Sequence, residues 1–276
     1  MNNKLAPIVK WVGGKRQLLD ALQPLFPQSF DTYCEPFLGG GAVLFHLQPD
    51  KAIVNDANEE LINVYNVIKN QLDRLLAELR KYENTPEFYY SIRDLDRNPS
   101  KYIKLSEVKR AARILYLNKT CFNGLYRVNG SGEFNVPFGK YKNPNIVNEE
   151  GLTAVHDYLN TADIQMYSTD FAHCLHNLPN DTFVYLDPPY DPVSTTSNFT
   201  GYAKGGFDRD EQERLCLVCN NLDKQGIRFM LSNSATPFIK ELYSNFNITV
   251  VKAKRAVNSV GSKRGEVDEV IIRNYE

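Results

Sequence analysis

The chain has 276 residues, of which 42% are hydrophobic and 24% are charged, and its formal net charge is −1 at pH 7. This length can bury a substantial core and allows one domain with a sizeable insertion, which is what we expect. No run approaches the roughly 18 consecutive apolar residues of a membrane span, and the amino terminus lacks an apolar signal-peptide segment. We therefore expect a cytoplasmic monomer with no membrane partner.

Short apolar runs of strand type alternate with helical patterns along most of the chain, which predicts a doubly wound α/β sheet. The candidate strands are residues 32–37, 51–56, 163–170, 182–187, 228–233, 247–255 and 267–275. Several of these runs end in an acid or an asparagine, at the edge where an open parallel sheet has its ligand crevice.

The first candidate strand leads into a glycine-rich turn, residues 35–41, and the apolar run after it can be a helix. Glycines let the backbone pass close to a ligand, although packing of a helix on a strand also demands small residues. Asp56 ends the next strand, where an acid of a nucleotide-binding α/β unit reaches ribose hydroxyls. The glycine-rich turn and Asp56 together are consistent with either of two ligands, a diphosphate cofactor or an adenosine-containing methyl donor.

The alternation stops after the second candidate strand. A run of Leu, Ile and Tyr at helical spacing begins at Asn58, and Ser106 can cap another helix through Leu117. Residues 118–145 are rich in Asn, Gly, aromatic and basic residues, and a loop of this length is usually functional. We predict an inserted, mainly helical domain at residues 58–150, between a first part (1–57) and a second part (151–276) of the main domain.

Basic residues are concentrated in two segments of an otherwise acidic chain. Residues 97–142 contain ten Lys and Arg against two acids, and residues 252–264 contain five with no acid. A run of charge is often only a solvated face, but two such segments favour a surface that binds phosphates.

The five cysteines are irregularly spaced, which indicates free thiols in a reducing compartment. Cys216 and Cys219 have the spacing of a metal-ligand pair. Asp208 can cap a helix here and Gly226 follows its end, so both thiols are expected in a buried helix stripe. Neither this pair nor residues 173–176 has a partner motif that would complete a zinc site, and we expect no metal.

Asp187-Pro-Pro-Tyr190 follows an apolar strand and brings a carboxylate, a rigid turn and an aromatic ring to the crevice. The prolines could serve only as a turn. For transfer to an exocyclic amine, the N–H groups of the amine would donate to the Asp187 carboxylate and the Pro188 carbonyl, which aims the nitrogen lone pair at a methyl donor. Tyr190 offers a face on which a flipped base can stack. The turn therefore favours a methyl donor over a diphosphate cofactor.

With these residues the chain resembles the amino-methyltransferases of DNA, specifically the Dam and DpnM type of adenine methylases that modify GATC. The likeness covers essentially the whole chain in the motif order of the family: residues 10–15, 35–41, 55–56, the insertion, 168–171, 187–190, 197–200 and 231–233. It implies a seven-stranded methyltransferase sheet with an inserted target-recognition domain. It also implies S-adenosylmethionine as the methyl donor and double-stranded DNA as the partner, with which the protein would associate in the nucleoid.

The resemblance further implies roles for individual residues. The donor would be held by Trp11, Lys15, Glu35, Pro36, Phe37, Gly39, Gly41, Asp56, Asp170, Phe171 and Asp187. In that set the glycine turn would hold the methionine part, Asp56 the ribose hydroxyls, and Asp170 with Phe171 the adenine. The residues that would act on the target amine are Asp187, Pro188, Pro189 and Tyr190.

On the DNA side, residues 122–127 and 135–137 match the target-recognition hairpin of the family. The residues implied to contact DNA are Lys10, Phe122, Asn123, Leu125, Arg127, Asn135, Pro137 and Lys140. Lys10 and Arg127 would read guanines, while Leu125 and Pro137 would touch a thymine methyl group. Asn123 would help fill the space vacated by the flipped base. Phe122 stands where the family often has a tyrosine wedge, so stacking is kept but a hydroxyl hydrogen bond is lost.

Three other functions share parts of this pattern. Cytosine N4-methylation can use a similar amine pocket. Protein glutamine methylation usually presents Asn-Pro-Pro-Tyr, so Asp187 and the basic insertion count against it. A DNA-binding module without catalysis would not need the intact turn at residues 187–190. The expected activity is therefore methyl transfer from S-adenosylmethionine to adenine N6 in duplex DNA by base flipping, within GATC.

Overall fold

The computed structural model describes residues 5–193, 206–254 and 266–276. One sheet contains the strands β1 (Thr32–Glu35), β2 (Lys51–Asn55), β3 (Asp163–Tyr167), β4 (Thr182–Leu186), β5 (Arg228–Ser234), β6 (Asn247–Lys254) and β7 (Glu266–Arg273). Their order is β3-β2-β1-β4-β5-β7-β6. Strand β7 runs antiparallel to β5 and β6, and the other neighbours are parallel. The seven predicted strands and the α/β class are confirmed.

The helices are α1 (Leu19–Leu22), α2 (Ala42–Leu47), α3 (Glu59–Leu79), α4 (Pro86–Arg93), α5 (Pro99–Tyr102), α6 (Glu107–Thr120), α7 (Glu149–Thr161), α8 (Phe171–Cys174), α9 (Arg209–Lys224) and α10 (Pro237–Leu242). Short 3-10 helices span Lys15–Gln17, Gln23–Leu25, Asp94–Arg97 and Phe122–Gly124. The predicted helix starts are confirmed, because Asn58, Ser106 and Asp208 cap α3, α6 and α9 with their side chains. Helix α6 continues three residues beyond the predicted Leu117.

Strand β4 shows why the sheet needs helices on both faces. Phe183 and Tyr185 lie in one hydrophobic core, which includes buried residues of α2, α3, α6 and α7. Val184 and Leu186 lie in a second core with α8, α9 and α10. Because successive side chains of a strand point to opposite faces, a continuously apolar strand is buried on both sides.

Between β2 and β3 the chain forms helices α3 to α7 and the 121–138 hairpin, named here for the residues that its bridges enclose. The bridges pair Cys121 with Phe138 and Val128 with Phe134. Helix α3 packs against α6 and α7, and its buried side chains share one core with Tyr33 of the sheet. The hydrophobic core is thus continuous from the sheet into these helices, and the predicted domain limits at residues 58 and 150 stay predictions.

All five cysteines are buried free thiols, and Cys216 with Cys219 faces the core from α9, as the helix pattern predicted. In the described ranges, no helix is long and apolar enough to cross a bilayer. The same ranges contain no group of three or more His, Cys, Asp or Glu that could hold a metal ion.

Candidate active site

The site lies where the order of the strands changes direction. Strands β1 and β4 are sheet neighbours although they are far apart in the chain, and both run parallel to their other neighbours. The carboxyl ends of parallel strands meet at one edge, and such a switch point opens a crevice there. Glu35 ends β1, Asp56 follows β2, Asp187 follows β4 and Ser232 lies in β5. The topology therefore gathers the predicted carboxylates at one crevice.

Lys15 joins the Asp187 carboxylate to the Tyr190 ring. Its Nζ lies 2.6 Å from Asp187 Oδ1, donates to the Gly13 carbonyl at 2.6 Å, and stands 4.7 Å from the centre of the Tyr190 ring. Ser232 Oγ donates to the same Asp187 oxygen at 3.0 Å. Burial raises the pKa of Asp187, although Lys15 and Ser232 oppose the shift. One amine nitrogen thus contacts both the Asp187 carboxylate, predicted to accept from the target amine, and the Tyr190 ring, predicted to stack on the target base.

The turn between Asp187 and Tyr190 is held by two elements that are remote in sequence. Tyr190 donates its hydroxyl hydrogen to Glu269 Oε2 on β7 at 2.8 Å. Gln212 of α9 donates from Nε2 to the Pro189 carbonyl at 2.8 Å. Within the described part of the chain, no donor reaches the Pro188 carbonyl, which is the acceptor predicted for the target amine.

The glycine turn approaches the Trp11 ring closely. Gly39 has φ +50°, and a Cβ atom there would lie 3.0 Å from Trp11 Cδ1. Its N–H donates to Asp56 Oδ2 at 2.9 Å, so Asp56 fixes the turn. Gly41 comes directly before α2, and its N–H donates to the Leu38 carbonyl at 2.8 Å. Only glycine suits the Gly39 position without strain.

A cleft at this crevice is lined by residues that include Trp11, Lys15, Glu35, Gly39 and Asp187. Tyr33 donates its hydroxyl hydrogen to Glu35 Oε2 at 2.9 Å. Burial raises the pKa of the Glu35 carboxyl; the Tyr33 hydrogen bond opposes the shift, and the Asp187 charge adds to it. A buried carboxyl with a shifted pKa in a cleft is typical of a functional site.

Asp170 and Phe171 lie at the start of α8, beside the glycine turn. The Phe171 ring is buried and stands 5.3 Å from the Phe37 ring. Arg214 of α9 donates to both oxygens of Asp170, at 2.9 and 2.6 Å, and its guanidinium lies 4.1 Å from the centre of the Phe171 ring. The hydrogen bonds from Arg214 lower the pKa of Asp170. Arg214 therefore orients both side chains predicted to hold the adenine of the donor.

Asn118 connects the amino-terminal segment to the 121–138 hairpin. Its side chain accepts from the Lys10 N–H and donates to the Lys10 carbonyl, both at 2.8 Å, and also donates to the Gly124 carbonyl at 3.1 Å. Gly124 has φ +66°, and a Cβ atom there would lie 2.6 Å from Lys10 Cδ. Lys10 thus lies against the hairpin and keeps an exposed side chain.

Other residues predicted to contact DNA are spread along the hairpin. Phe122 is 53% exposed, and Asn123, exposed beside it, has φ +59°. Arg127 Nε donates to Asn135 Oδ1 at 2.7 Å, so these two predicted residues are partners in the free protein. Leu125 is half-buried, whereas Pro137 and Lys140 are exposed.

Fewer cations of the basic segment at residues 97–142 are free of acidic partners than its composition predicted. Arg97 and Arg113 pair with Asp96 at 3.0 and 2.6 Å, and Arg110 pairs with Glu60 at 2.8 Å. Both acids lie before residue 97, so the count missed them. The exposed cations of this segment are Lys101, Lys104, Lys109, Lys140 and Lys142. The motif at residues 197–200 and most of the second basic segment lie outside the described residues.

Several residues of the site had no role assigned from sequence. Ser232 had a local signal, because it lies in a polar run that ends an apolar strand. Glu269 had none: it reaches Tyr190 only because β7 pairs antiparallel with β5, opposite Ser234. Arg214 likewise reaches Asp170 from a helix 44 residues away in sequence. Long-range contacts of this kind follow from the fold and leave no pattern in a short segment.

Comparison with known proteins agrees with this geometry. The sequence pattern of the D12 class N6 adenine-specific DNA methyltransferases matches residues 11–257. Type II methyltransferase M1.LlaDCHI of Lactococcus lactis subsp. cremoris is 45% identical, over 98% of this chain and 96% of its own. Type II methyltransferase M.MjaIII of Methanocaldococcus jannaschii is 44% identical, over 99% and 100%. DNA adenine methylase of Escherichia coli K12 is 34% identical, over 95% and 93%. The chain belongs to the D12 class of N6 adenine-specific DNA methyltransferases.

Proposed function

We propose that this protein transfers a methyl group from S-adenosylmethionine to N6 of adenine within GATC, after the base has flipped out of duplex DNA. One observation carries the proposal: the Lys15 amine nitrogen is held by Asp187 and lies over the Tyr190 ring. This contact supports a pocket with the chemistry to receive an amino group on a planar base.

The residues at the crevice fit the proposed donor. S-adenosylmethionine, when bound, supplies the activated methyl group. The buried Glu35 carboxyl can accept hydrogen bonds from an ammonium group, and Gly39, which has no Cβ atom, lets the glycine turn pass close to the Trp11 ring at the cleft. Asp56 can accept from ribose hydroxyls, and the Phe171 ring, fixed by Arg214, offers a face for an adenine.

The acceptor side uses Asp187, Pro188 and Tyr190. Lys15 and Ser232 both contact Asp187 Oδ1. In the described residues no donor contacts Oδ2, which can therefore accept one N–H of the target amine, while the Pro188 carbonyl accepts the other. Two such bonds favour a pyramidal nitrogen whose lone pair is available. Because Lys15 Nζ lies over the Tyr190 ring, its side chain has to move before a base can stack there.

A direct experiment tests the proposal. Plasmid DNA is incubated with the purified protein and S-adenosylmethionine, and modified bases are mapped by single-molecule sequencing. We expect N6-methyladenine at GATC, and none with the Asp187→Ala variant. Cytosine modification, or adenine modification at unrelated sequences, would contradict the proposal.

A further inference from the structure

The 121–138 hairpin is attached to the helices of the insertion by an ionic group, the Asp96 cluster, which consists of Asp96, Arg97 and Arg113. Asp96 and Arg97 lie in the 3-10 helix Asp94–Arg97, and Arg113 lies in the middle of α6. The cluster takes no part in the proposed chemistry. Its contacts with the hairpin are nevertheless direct.

Arg113 fixes the Asp96 carboxylate. It is only 2% exposed, and its Nη2 lies 2.6 Å from Asp96 Oδ2. The same guanidinium donates to the main-chain carbonyls of Ile92 and Arg93, at 3.0 and 2.7 Å. A buried guanidinium with several fixed acceptors has little freedom, so the position of Asp96 is set by the helical framework.

The cluster holds the backbone of Phe134 from both sides. Asp96 Oδ2 accepts the Phe134 N–H at 2.7 Å, and Arg97 Nη2 donates to the Phe134 carbonyl at 2.7 Å. Asp96 and Arg97 also bind each other, at 3.0 Å. The main-chain N–H and carbonyl of Phe134 are therefore both bound by an ion pair that belongs to the helices of the insertion.

Phe134 is adjacent to the side chains proposed to read DNA. Asn135, the next residue, accepts from Arg127 Nε, and its N–H donates to the Arg127 carbonyl at 3.0 Å. The Phe134 ring lies 5.7 Å from the Tyr126 ring, which stacks at 4.7 Å on Trp11 of the donor cleft. A shift of Phe134 would therefore displace both Arg127 and the ring that covers Trp11.

We propose that Asp96, fixed by Arg113 and assisted by Arg97, is a positioning residue for sequence discrimination. The inference rests on the proposed function and on the role that the family resemblance implies for the 121–138 hairpin, the reading of base edges. A bidentate contact between Arg127 and a guanine needs fixed geometry, whereas phosphate contacts by exposed lysines tolerate movement. Loosening the hairpin therefore reduces discrimination between sequences more than it reduces affinity for DNA.

Two variants loosen the hairpin by different routes. The double variant Asp96→Ala/Arg113→Met removes the pair without leaving an unpaired buried charge. Arg97→Met removes two contacts with the hairpin, to the Phe134 carbonyl and to the Glu133 carboxylate at 3.3 Å, at a side chain that is 30% exposed, and it keeps the Asp96–Arg113 pair. Glu149→Gln is the control: it removes an exposed ion pair, with Arg80 at 2.6 Å, at a carboxylate that is 57% exposed and is not a member of the Asp96 cluster.

The first measurement is amide hydrogen exchange without DNA. We expect residues 127–136 to exchange on the order of tenfold faster in both variants, relative to the buried core of α3, because Phe134 loses the acceptor of its N–H in the double variant and the donor to its carbonyl in Arg97→Met. The Glu149→Gln control should exchange like wild type. This measurement is independent of methylation, so it tests the anchoring even if the proposed function fails.

The second measurement is kcat/KM for a GATC duplex divided by kcat/KM for a duplex with one guanine replaced. We expect this ratio to fall on the order of tenfold in the double variant, and by less in Arg97→Met. Unchanged exchange, or an unchanged ratio, in a folded variant would overturn the inference. If the double variant does not fold, Arg97→Met decides the question. If wild type methylates no adenine in duplex DNA, it is the proposed function that fails.

Discussion

Replacement of Tyr190 separates the role of its ring from that of its hydroxyl. The ring, now over Lys15 Nζ, is proposed to stack on the flipped adenine, whereas the hydroxyl donates to Glu269 at 2.8 Å. Tyr190→Phe keeps the ring and loses the hydrogen bond, and Tyr190→Ala loses both. Tyr190→Phe should therefore affect stability alone, whereas Tyr190→Ala should affect both stability and methyl transfer.

The expected magnitudes follow from these contacts. Stacking of a base on an aromatic ring contributes roughly 1–3 kcal/mol, so Tyr190→Ala should lower turnover or target binding by on the order of ten- to a hundredfold. A hydrogen bond to a charged group contributes about 1.5–3 kcal/mol, so Tyr190→Phe should lower the free energy of unfolding by about that amount and change turnover little. Tyr167→Phe, whose 42% exposed side chain donates to Gln165, should change neither.

Single-turnover methylation and 2-aminopurine fluorescence measure these effects. A 2-aminopurine at the target position should brighten when it leaves the duplex and be partly quenched where it stacks on Tyr190 or on the Phe replacement. The Ala variant should leave the flipped probe brighter or fail to hold it out. If Tyr190→Phe loses as much turnover as Tyr190→Ala, the hydroxyl is the working group and the stacking role is refuted.

The other predictions concern three charged side chains. Asp187→Ala should abolish methyl transfer while S-adenosylmethionine still binds. The reaction needs the ionised form of Asp187, and burial raises the pKa of this carboxyl group. Wild-type turnover should therefore fall on acidification, with a midpoint above the pKa of about 3.9 of an ordinary aspartate. Near-normal turnover of the variant in a single-turnover assay would remove Asp187 from the mechanism. Arg127→Ala should lose about 1–3 kcal/mol of discrimination at one guanine, and equal weakening on matched and mismatched sites would make it a phosphate contact. Burial also raises the pKa of Glu35, so ionisation of this carboxyl group destabilises the free protein as the pH rises. Glu35→Gln should therefore raise the melting temperature at neutral pH. This increase in melting temperature should vanish in acid, where the wild-type carboxyl group is protonated. Calorimetry should also find weaker donor binding by Glu35→Gln, and unchanged affinity would exclude Glu35 from the donor site.

The sheet could be predicted from sequence because its signals are local. The buried parallel strands are short apolar runs, and the helices begin at side-chain caps such as Asn58 and Asp208. The gathering of Glu35, Asp56 and Asp187 was also predictable, since each stands at or just beyond the carboxyl end of a parallel strand. These inferences need only the identity of neighbouring residues and the rule for open sheets.

Contacts between remote segments could not be predicted in this way. In the sequence, Arg113 is not distinguishable from the other basic residues of the insertion. In the structure it is buried and paired with Asp96, which lies in a 3-10 helix 17 residues earlier. The sequence indicates that Arg127 is available to contact a base. In the structure, however, Arg127 donates to Asn135 across the hairpin. Charge counts describe a segment, whereas the availability of a charge depends on which carboxylate the fold places beside it.

The charge balance of the crevice connects the fold to the kind of ligand that it favours. Glu35 and Asp187 line the cleft, and Asp56 holds its glycine turn through the Gly39 N–H. Lys15 is the one lysine among the described lining residues, and burial raises the pKa of all three carboxyl groups. A buried carboxylate is stabilised by a nearby positive charge and destabilised by a negative one. Lys15 supplies such a charge to Asp187. Glu35 and Asp56 instead accept from the Tyr33 hydroxyl and the Gly39 amide, which are neutral donors. This balance of charge supports the proposal of a sulfonium methyl donor, which would bring positive charge to the glycine-turn side of the crevice, over the diphosphate cofactor that the glycine turn alone would also allow.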